Sequence, residues 1–324
     1  MTRSARRLAA LYLVAVVTLS MLAPVTGAVG TAAAGNTAPT CSDVTYDGSG
    51  TSTDPYEVSA VDQLQCIGKD HGDASSPSDA LDSDYELTSD LDASDTADWN
   101  EESSFTETRG MVMETPERIE LGHAPINPGT VTVTDTSDDS ELSFTVVDAQ
   151  TGTIEVTEYS NDRIEITYET TSPVPLGFDP IGDFDNRFTG TFDGSGYTIS
   201  GLTVDRGGTH YVGLFGYLDS GGTVTAVELG GGSVSGLART GGLVGYSDGA
   251  VRDSSATATV TGHEYVGGLV GDTDGSVSRS FATGDVAGNS YVGGLAGYNS
   301  GSVSESHATG AVSGDGATAS VGGL

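Results

Sequence analysis

A run that repeats itself constrains this chain more than any other feature. Arg239-Thr240-Gly241-Gly242-Leu243-Val244-Gly245 returns 26 residues later as Tyr265-Val266-Gly267-Gly268-Leu269-Val270-Gly271. After another 26 it returns as Tyr291-Val292-Gly293-Gly294-Leu295-Ala296-Gly297. A looser copy, Tyr211-Val212-Gly213-Leu214-Phe215-Gly216-Tyr217, precedes them, and a shortened one, Val321-Gly322-Gly323-Leu324, follows. The intervening halves repeat as well: Gly275 to Gly288 matches Gly301 to Gly314. A fixed period in the twenties with glycine at set places is the pattern of a solenoid.

So short a unit cannot bury an apolar face alone and must stack on its neighbours. The positions that stay apolar are Val266 and Val292; Leu243, Leu269 and Leu295; Val251, Val277 and Val303; Ala256, Ala282 and Ala308; and Val260, Val286 and Val312. They are β-branched or small, set apart by Gly and Ser, with no i, i+4, i+7 run. Each unit therefore reads as one coil of a parallel β-helix with two or three short strands. The apolar columns become inward ladders rising about 4.8 Å per coil. The recurrent glycines are expected at corners that need a positive φ.

The variable columns point outward. Asp253, Arg279 and Glu305 share one column, and Ser255, Phe281 and His307 another. Charges of both signs, an aromatic ring and an imidazole do not fit one tight interior slot, so both columns are expected to face solvent. Asp253, Arg279, Glu305, Phe281 and His307 are the candidate outer-face binding residues.

Gly-Gly-Leu-Val-Gly with Tyr-Val before it resembles the GLUG motif. The resemblance implies a repeat found in bacterial and archaeal surface proteins, in adhesin-like proteins and in some exported enzymes of the IgA-protease type. The repeats cover about a third of this chain, from 211 to 324. An N-terminal lead-in resembling one that precedes such repeats is also present: Gly50-Thr51, Asp54-Pro55-Tyr56, Gln63-Leu64, then Tyr85-Glu86-Leu87 and Asp90-Leu91-Asp92. Its continuation is split. Trp99 closes the first part, and Phe178-Asp179-Pro180-Ile181-Gly182 resumes the pattern, which runs through Phe188-Thr189-Gly190-Thr191-Phe192-Asp193-Gly194. Residues from about Glu101 to Pro175 are thus an insertion at a coil corner.

Within the insertion, Thr130–Thr134, Leu142–Val147, Thr153–Val156 and Arg163–Tyr168 alternate apolar with polar at period two. Four such strands make a small antiparallel sheet or sandwich, while Arg109 to Glu120 contributes little pattern. The module is read as a spacer or, alternatively, as a glycan-recognition element. Ser59 is the expected N-cap of a short helix carrying Val61, Leu64 and Ile67.

Arg3, Arg6 and Arg7 precede an apolar stretch from Leu8 to Ala23, with small residues after it. This is the pattern of an export signal, by the general or the twin-arginine route, with Ala28 or Ala34 as the last residue removed. No later apolar run is long enough to cross a membrane as a helix. The expected organisation is a signal at 1–34, a cap and first coils at 41–100, an inserted β-sandwich-like module at 101–175, a resuming coil at 176–210, and GLUG repeats at 211–324, incomplete at the C-terminus. The fold class is all-β: a parallel β-helix (solenoid) with a small inserted antiparallel β module. Cys41 and Cys66 are expected to form one disulfide in an exported protein, two free thiols being the alternative.

Forty-six acids face twelve Lys and Arg, a formal net charge of −34. Lys69 is the single lysine. Such a balance disfavours a nucleic-acid partner and fits a halophile's surface. Candidate chemistry is sparse. His263-Glu264 opens like a zinc-protease motif, but Gly267 stands where the second His would be. No metal site, catalytic residue or cofactor is assigned. Asp183/Asp185 and Asp272/Asp274 offer carboxylates two apart for Ca2+, yet neither pair continues into an EF-hand loop.

Two functions remain. One is a secreted or cell-surface, non-catalytic, adhesin-like β-helix whose outer face binds cell-surface glycans, cells or like proteins, including itself. The other is the scaffold of a larger exported peptidase or polysaccharide-active enzyme with its catalytic domain beyond Leu324. The sequence stops inside a Gly-Gly-Leu corner without a closing element, so a longer protein is expected.

Overall fold

A computed structural model describes residues 38–69, 76–112, 115–314 and 320–323, all within the unit Ala34–Leu324. The expected export signal lies outside the described residues. Among them the chain winds into a parallel β-solenoid whose strands form ladders of seven, six, eight and four, with two three-stranded antiparallel sheets beside it.

The seven-stranded ladder stacks Tyr56–Val58, Tyr85–Leu87, Thr191–Asp193, Thr223–Thr225, Ala250–Arg252, Ser276–Ser278 and Ser302–Ser304. Its inward column starts with Tyr56, Tyr85 and Phe192 and continues through Val224, Val251, Val277 and Val303 in register. The six-stranded ladder changes in parallel, from Leu91, Ile199 and Leu229 to Ala256, Ala282 and Ala308. Aromatic and long aliphatic side chains fill the interior at the N-terminal end, and Val and Ala fill it in the strict repeats. Side chains alternate across each strand, which is why one residue in two stays apolar.

In the eight-stranded sheet, Val260, Val286 and Val312 align, and Val266 aligns with Val292. Thr203–Val212 and Ser233–Gly241 are long strands here; later coils break the same path into two short ones, such as Thr259–Thr261 and Glu264–Gly267. Leu243, Leu269 and Leu295 stack at the turn before the four-stranded ladder, Leu243 N donating to Leu269 O at 2.9 Å and Leu269 N to Leu295 O at 2.9 Å. All three are buried, as are Val251, Val277, Val260 and Val286, whereas Val303 and Val312 of the last full coil are half-buried.

Glycines hold a positive φ as expected in the earlier coils, at Gly182, Gly201, Gly231 and Gly232 among others, but those of the strict repeats do a different job. There the positive-φ positions belong to side-chain-bearing residues: Asp253, Arg279 and Glu305 (φ 49 to 52°) at one corner, and Arg239, Tyr265 and Tyr291 (φ 51 to 55°) at another, with Ala226 and Tyr211 at the same corners of the looser coil before them. Gly241, Gly267 and Gly293 are needed for close approach instead. A Cβ on them would fall 2.2, 2.0 and 1.9 Å from the carbonyl oxygens of Val244, Val270 and Ala296. Backbone meets backbone at that turn, and no side chain fits.

A ladder the sequence did not announce runs inside the first of these corners. Ser254 Oγ accepts from Val227 N at 3.2 Å, Ser280 Oγ from Ser254 N at 3.2 Å and Ser306 Oγ from Ser280 N at 3.1 Å. Each hydroxyl donates to the carbonyl two residues before it. Amides buried at the corner are thus satisfied by serine rather than by a strand partner.

The first coil is closed by a 3₁₀ turn (Cys41–Asp43) and a helix (Val61–Cys66), joined by the Cys41–Cys66 disulfide. Ala60, not Ser59, is the N-cap of that helix. The Gln63 side chain reaches back to accept from Ser59 N at 2.8 Å and Ala60 N at 3.1 Å, doing from inside the helix what a capping serine does from outside.

Residues 101–175 leave the coil and return at one point: Leu176 N donates to Asn100 O, and Gly177 N to Trp99 O. Thr132–Asp135, Phe144–Asp148, Thr153–Val156 and Ile164–Pro175 form there close to the alternating stretches. Two more strands were not foreseen, Glu101–Arg109 and Glu117–Glu120. The first hides its pattern because Glu107 points inward. Its carboxylate is buried on Tyr168 Oη, Arg109 Nη2 and Gly122 N, so an acidic residue occupies a core position.

Candidate functional site

The corner column Asp253, Arg279 and Glu305 is exposed. Arg279 grips Asp253 in a fork, Nε to Oδ1 at 2.6 Å and Nη2 to Oδ2 at 2.7 Å. The hydrogen bonds from Arg279 hold the Asp253 carboxyl below the usual carboxylate range, and the same contact raises Arg279. One strand further on, Phe281 and His307 are exposed and stack with centroids 5.4 Å apart and planes at 15°. Ser255, expected outside with them, is buried; it is the small member of the column, between Glu228 and Phe281 in register. The structure therefore brings four of the five proposed residues into two pairs, and the Arg279 cation is already matched by its own neighbour.

A second outward surface is larger, and the sequence reading passed over it. The positive-φ corner stacks Tyr211, Arg239, Tyr265 and Tyr291. The adjoining four-stranded ladder stacks Tyr217, Tyr246, Asp272 and Tyr298 in register. The Arg239 guanidinium lies 5.3 Å from the Tyr211 ring and 5.2 Å from the Tyr265 ring, a cation between two π faces. Tyr265 and Tyr291 are stacked at 4.9 Å and 14°, with Tyr298 edge-on to both. Tyr217 packs on Tyr246 at 4.6 Å, and Arg187 sits 4.4 Å over Tyr217. The signal was present: Tyr211, Tyr265 and Tyr291 head three copies of the motif, where the interior has no need of a ring.

Carboxylates edge this surface. Asp248 accepts from Tyr217 Oη and Tyr246 Oη, each at 3.1 Å, and Asp274 accepts from Tyr246 Oη at 2.8 Å. Burial, then the bond to Asp248, pushes the Tyr217 phenol up to about 12, and burial with the bonds to Asp274 and Asp248 raises Tyr246 further. Both rings are neutral donors at any ordinary pH. Asp272 takes a tyrosine's place in its column, buried, with Arg239 Nε 3.1 Å from its Oδ2. Burial raises its carboxyl and Arg239 opposes the rise.

At the N-terminal end of the surface, a cleft of about 520 Å³ is lined by Lys69, Asp179, Asp183, Arg206, His210 and Tyr211 among others. Asp179 joins both cations, Lys69 Nζ at 2.8 Å and Arg206 Nη2 at 3.1 Å. Burial, then the Arg239 charge, lowers His210. Asp183, one of the calcium candidates, instead caps its own turn by accepting from Asp185 N and Asn186 N. Among the described residues no group of three or more His, Cys, Asp or Glu could hold a metal ion, and no helix is long and apolar enough to cross a membrane.

A coil of 26 residues, with Gly-Gly-Leu at the turn where backbones meet, is now fixed by geometry as well as by sequence. The GLUG motif matches residues 236–261 and 288–313. These coils are GLUG repeats. Over 90 residues the chain is 47% identical to halomucin of Haloquadratum walsbyi, which covers 27% of this chain and 1% of that protein. Over 53 residues it is 43% identical to a putative Gly-rich membrane protein of Evansella cellulosilytica, covering 16% of this chain and 6% of that one. The chain thus spans a small fraction of the length of either relative. No solved structure matches it.

Proposed function

We propose that this chain is an exported, non-catalytic module of a cell-surface protein, adhesin-like in action, whose coils present a binding face to glycans, cells or like proteins. The observation that carries the reading is the contrast between the two sides of each strand. The inward columns are apolar in coil after coil, while the outward columns vary and carry charged and aromatic side chains, with Asp253, Arg279, Glu305, Phe281 and His307 exposed. A parallel solenoid is a rigid ruler, suited to repeating a contact rather than to assembling a catalytic cluster.

Export is supported by the Cys41–Cys66 disulfide, since such bonds persist outside the reducing cytosol, and by the N-terminal pattern of Arg3, Arg6, Arg7 and the apolar stretch after them. One relative's name describes a membrane protein. The net charge of −34 supports a life in high salt, where carboxylates keep a surface hydrated.

Brief protease treatment of intact host cells tests the location. Peptides of this chain should be released while a cytosolic marker stays protected. Protection of the chain together with that marker would refute the reading.

A further inference from the structure

We propose that the cleft holding Lys69, Asp179 and Arg206 is a site for one neutral sugar residue, gripped through a vicinal pair of its hydroxyls. This site shares only its ligand class with the outer-face reading and lies apart from the repeat columns.

Three separate passes of the chain meet to build it. Lys69 follows the helix that the disulfide ties down, Asp179 stands where the coil resumes after the insertion, and Arg206 lies in the strand Thr203–Val212. The register of that strand against Ser233–Gly241 shifts between Arg206 and His210. Arg206, Thr209 and His210, from that irregular stretch, line the cleft. Such breaks in a ladder re-aim side chains beside functional sites. Gln65, 1% exposed, clamps the backbone of Asp179 from both sides. Its Oε1 accepts from Asp179 N at 2.9 Å and its Nε2 donates to Asp179 O at 3.2 Å. Arg206 is fixed in turn, Nε donating to Phe178 O at 3.3 Å. Asp179 and Arg206 are thus positioned before any ligand arrives.

The three side chains set donors and an acceptor side by side. Lys69 Nζ lies 2.8 Å from Asp179 Oδ2, and Arg206 Nη2 lies 3.1 Å from Oδ1. The Asp179 and Lys69 side chains are 42% and 32% exposed, so both are within reach of a ligand. A carboxylate only accepts hydrogen bonds, an ammonium or guanidinium only donates them, and a hydroxyl does both. Two neighbouring sugar hydroxyls can each donate to Asp179 while accepting from Lys69 or Arg206. Ile67, Leu81 and Pro180 give the cleft an apolar wall for the C–H groups of the ring. A volume of about 520 Å³ lies in the range of small-molecule sites. A chain that uses lysine nowhere else uses it here.

Charge chooses a neutral ligand over an acidic one. Lys69 and Arg206 are balanced by Asp179 and Asp183 on the same walls, and both cations already meet the Asp179 carboxylate. An acidic sugar would have to displace Asp179 from a cation and approach Asp183. A neutral sugar displaces only water.

Lys69, as the single lysine, is its own reporter in the test. The full chain is acetylated with an N-hydroxysuccinimide ester, and the rate at Lys69 is read by peptide mass spectrometry. The probes are the methyl glycosides of glucose, galactose and mannose, with methyl glucuronide as the acidic control. At least one neutral glycoside should slow acetylation of Lys69 saturably, by at least threefold, and the glucuronide should not. Lys69→Met should weaken binding of the same glycoside at least tenfold in saturation-transfer NMR, with thermal melting to check the fold. Met111→Ala, exposed on the inserted module, should leave that binding unchanged. No protection of Lys69 by any neutral glycoside would overturn the proposal. So would equal protection by the glucuronide, or full binding by a folded Lys69→Met chain. Glycoside binding that spares Lys69 but is lost in Phe281→Ala would end this inference and leave the outer-face reading standing.

Discussion

Arg239 donates from Nε to Oδ2 of Asp272 at 3.1 Å across successive coils, while Oδ1 of the same carboxylate is buried without a hydrogen-bond partner. Burial outweighs the arginine, so the Asp272 carboxyl is raised above its ordinary value. The folded chain then binds that proton more tightly than the unfolded chain does. The contribution of Asp272 to stability falls as pH climbs from the unfolded value of about 3.9 through the folded one. Asp272→Asn imitates the protonated form. Its stability relative to the parent chain should rise between pH 3.5 and pH 7 in urea titrations; a difference that shrinks over that range would contradict the assignment.

The two kinds of corner call for opposite substitutions. At Gly267 a Cβ would meet Val270 O at 2.0 Å, so Gly267→Ala should cost about 1–3 kcal/mol or prevent folding. At Ala226, with φ 52°, a glycine relieves a left-handed residue, and Ala226→Gly should be neutral or stabilising by up to about 1 kcal/mol. Equilibrium unfolding of the pair checks both signs. A destabilising Ala226→Gly would show that φ is not what limits that corner.

Ser280→Ala should strand the buried Ser254 amide that its hydroxyl accepts from. Leaving such a group unsatisfied costs about 1–3 kcal/mol. Ser300→Ala, at an exposed position whose hydroxyl bonds Asp274, should cost under about 1 kcal/mol. Comparable losses in the two variants would remove the serine ladder from the account of stability.

Opening the Cys41–Cys66 bond, 25 residues apart in sequence, should cost about 3 kcal/mol in the chain-entropy model. The loss should appear first as hydrogen exchange in Tyr56–Val58 and Val61–Cys66, before the strict repeats respond. Uniform loss of protection along the solenoid would contradict this local role.

The coil was legible because the period recurs without a gap and the interior admits little besides Val, Leu and Ala at Val277, Leu269 and Ala282. Close approach is invisible in a sequence: Gly267 reads the same whether it supplies a positive φ or makes room for Val270 O. The strand Glu101–Arg109 was missed because Glu107 sits in the core on Tyr168 and Arg109, partners that only the fold brings together. The tyrosine face was missed for a related reason. Tyr265 and Tyr291 served as markers of the motif, and nothing in their spacing says that the corner turns them outward beside Tyr298.

Saturation binding of the labelled chain to envelopes of its host, in the salt of its growth medium, tests the central claim most directly. Binding should saturate at that salt and be competed by excess unlabelled chain. Linear, uncompeted uptake would contradict a binding function for the outer face.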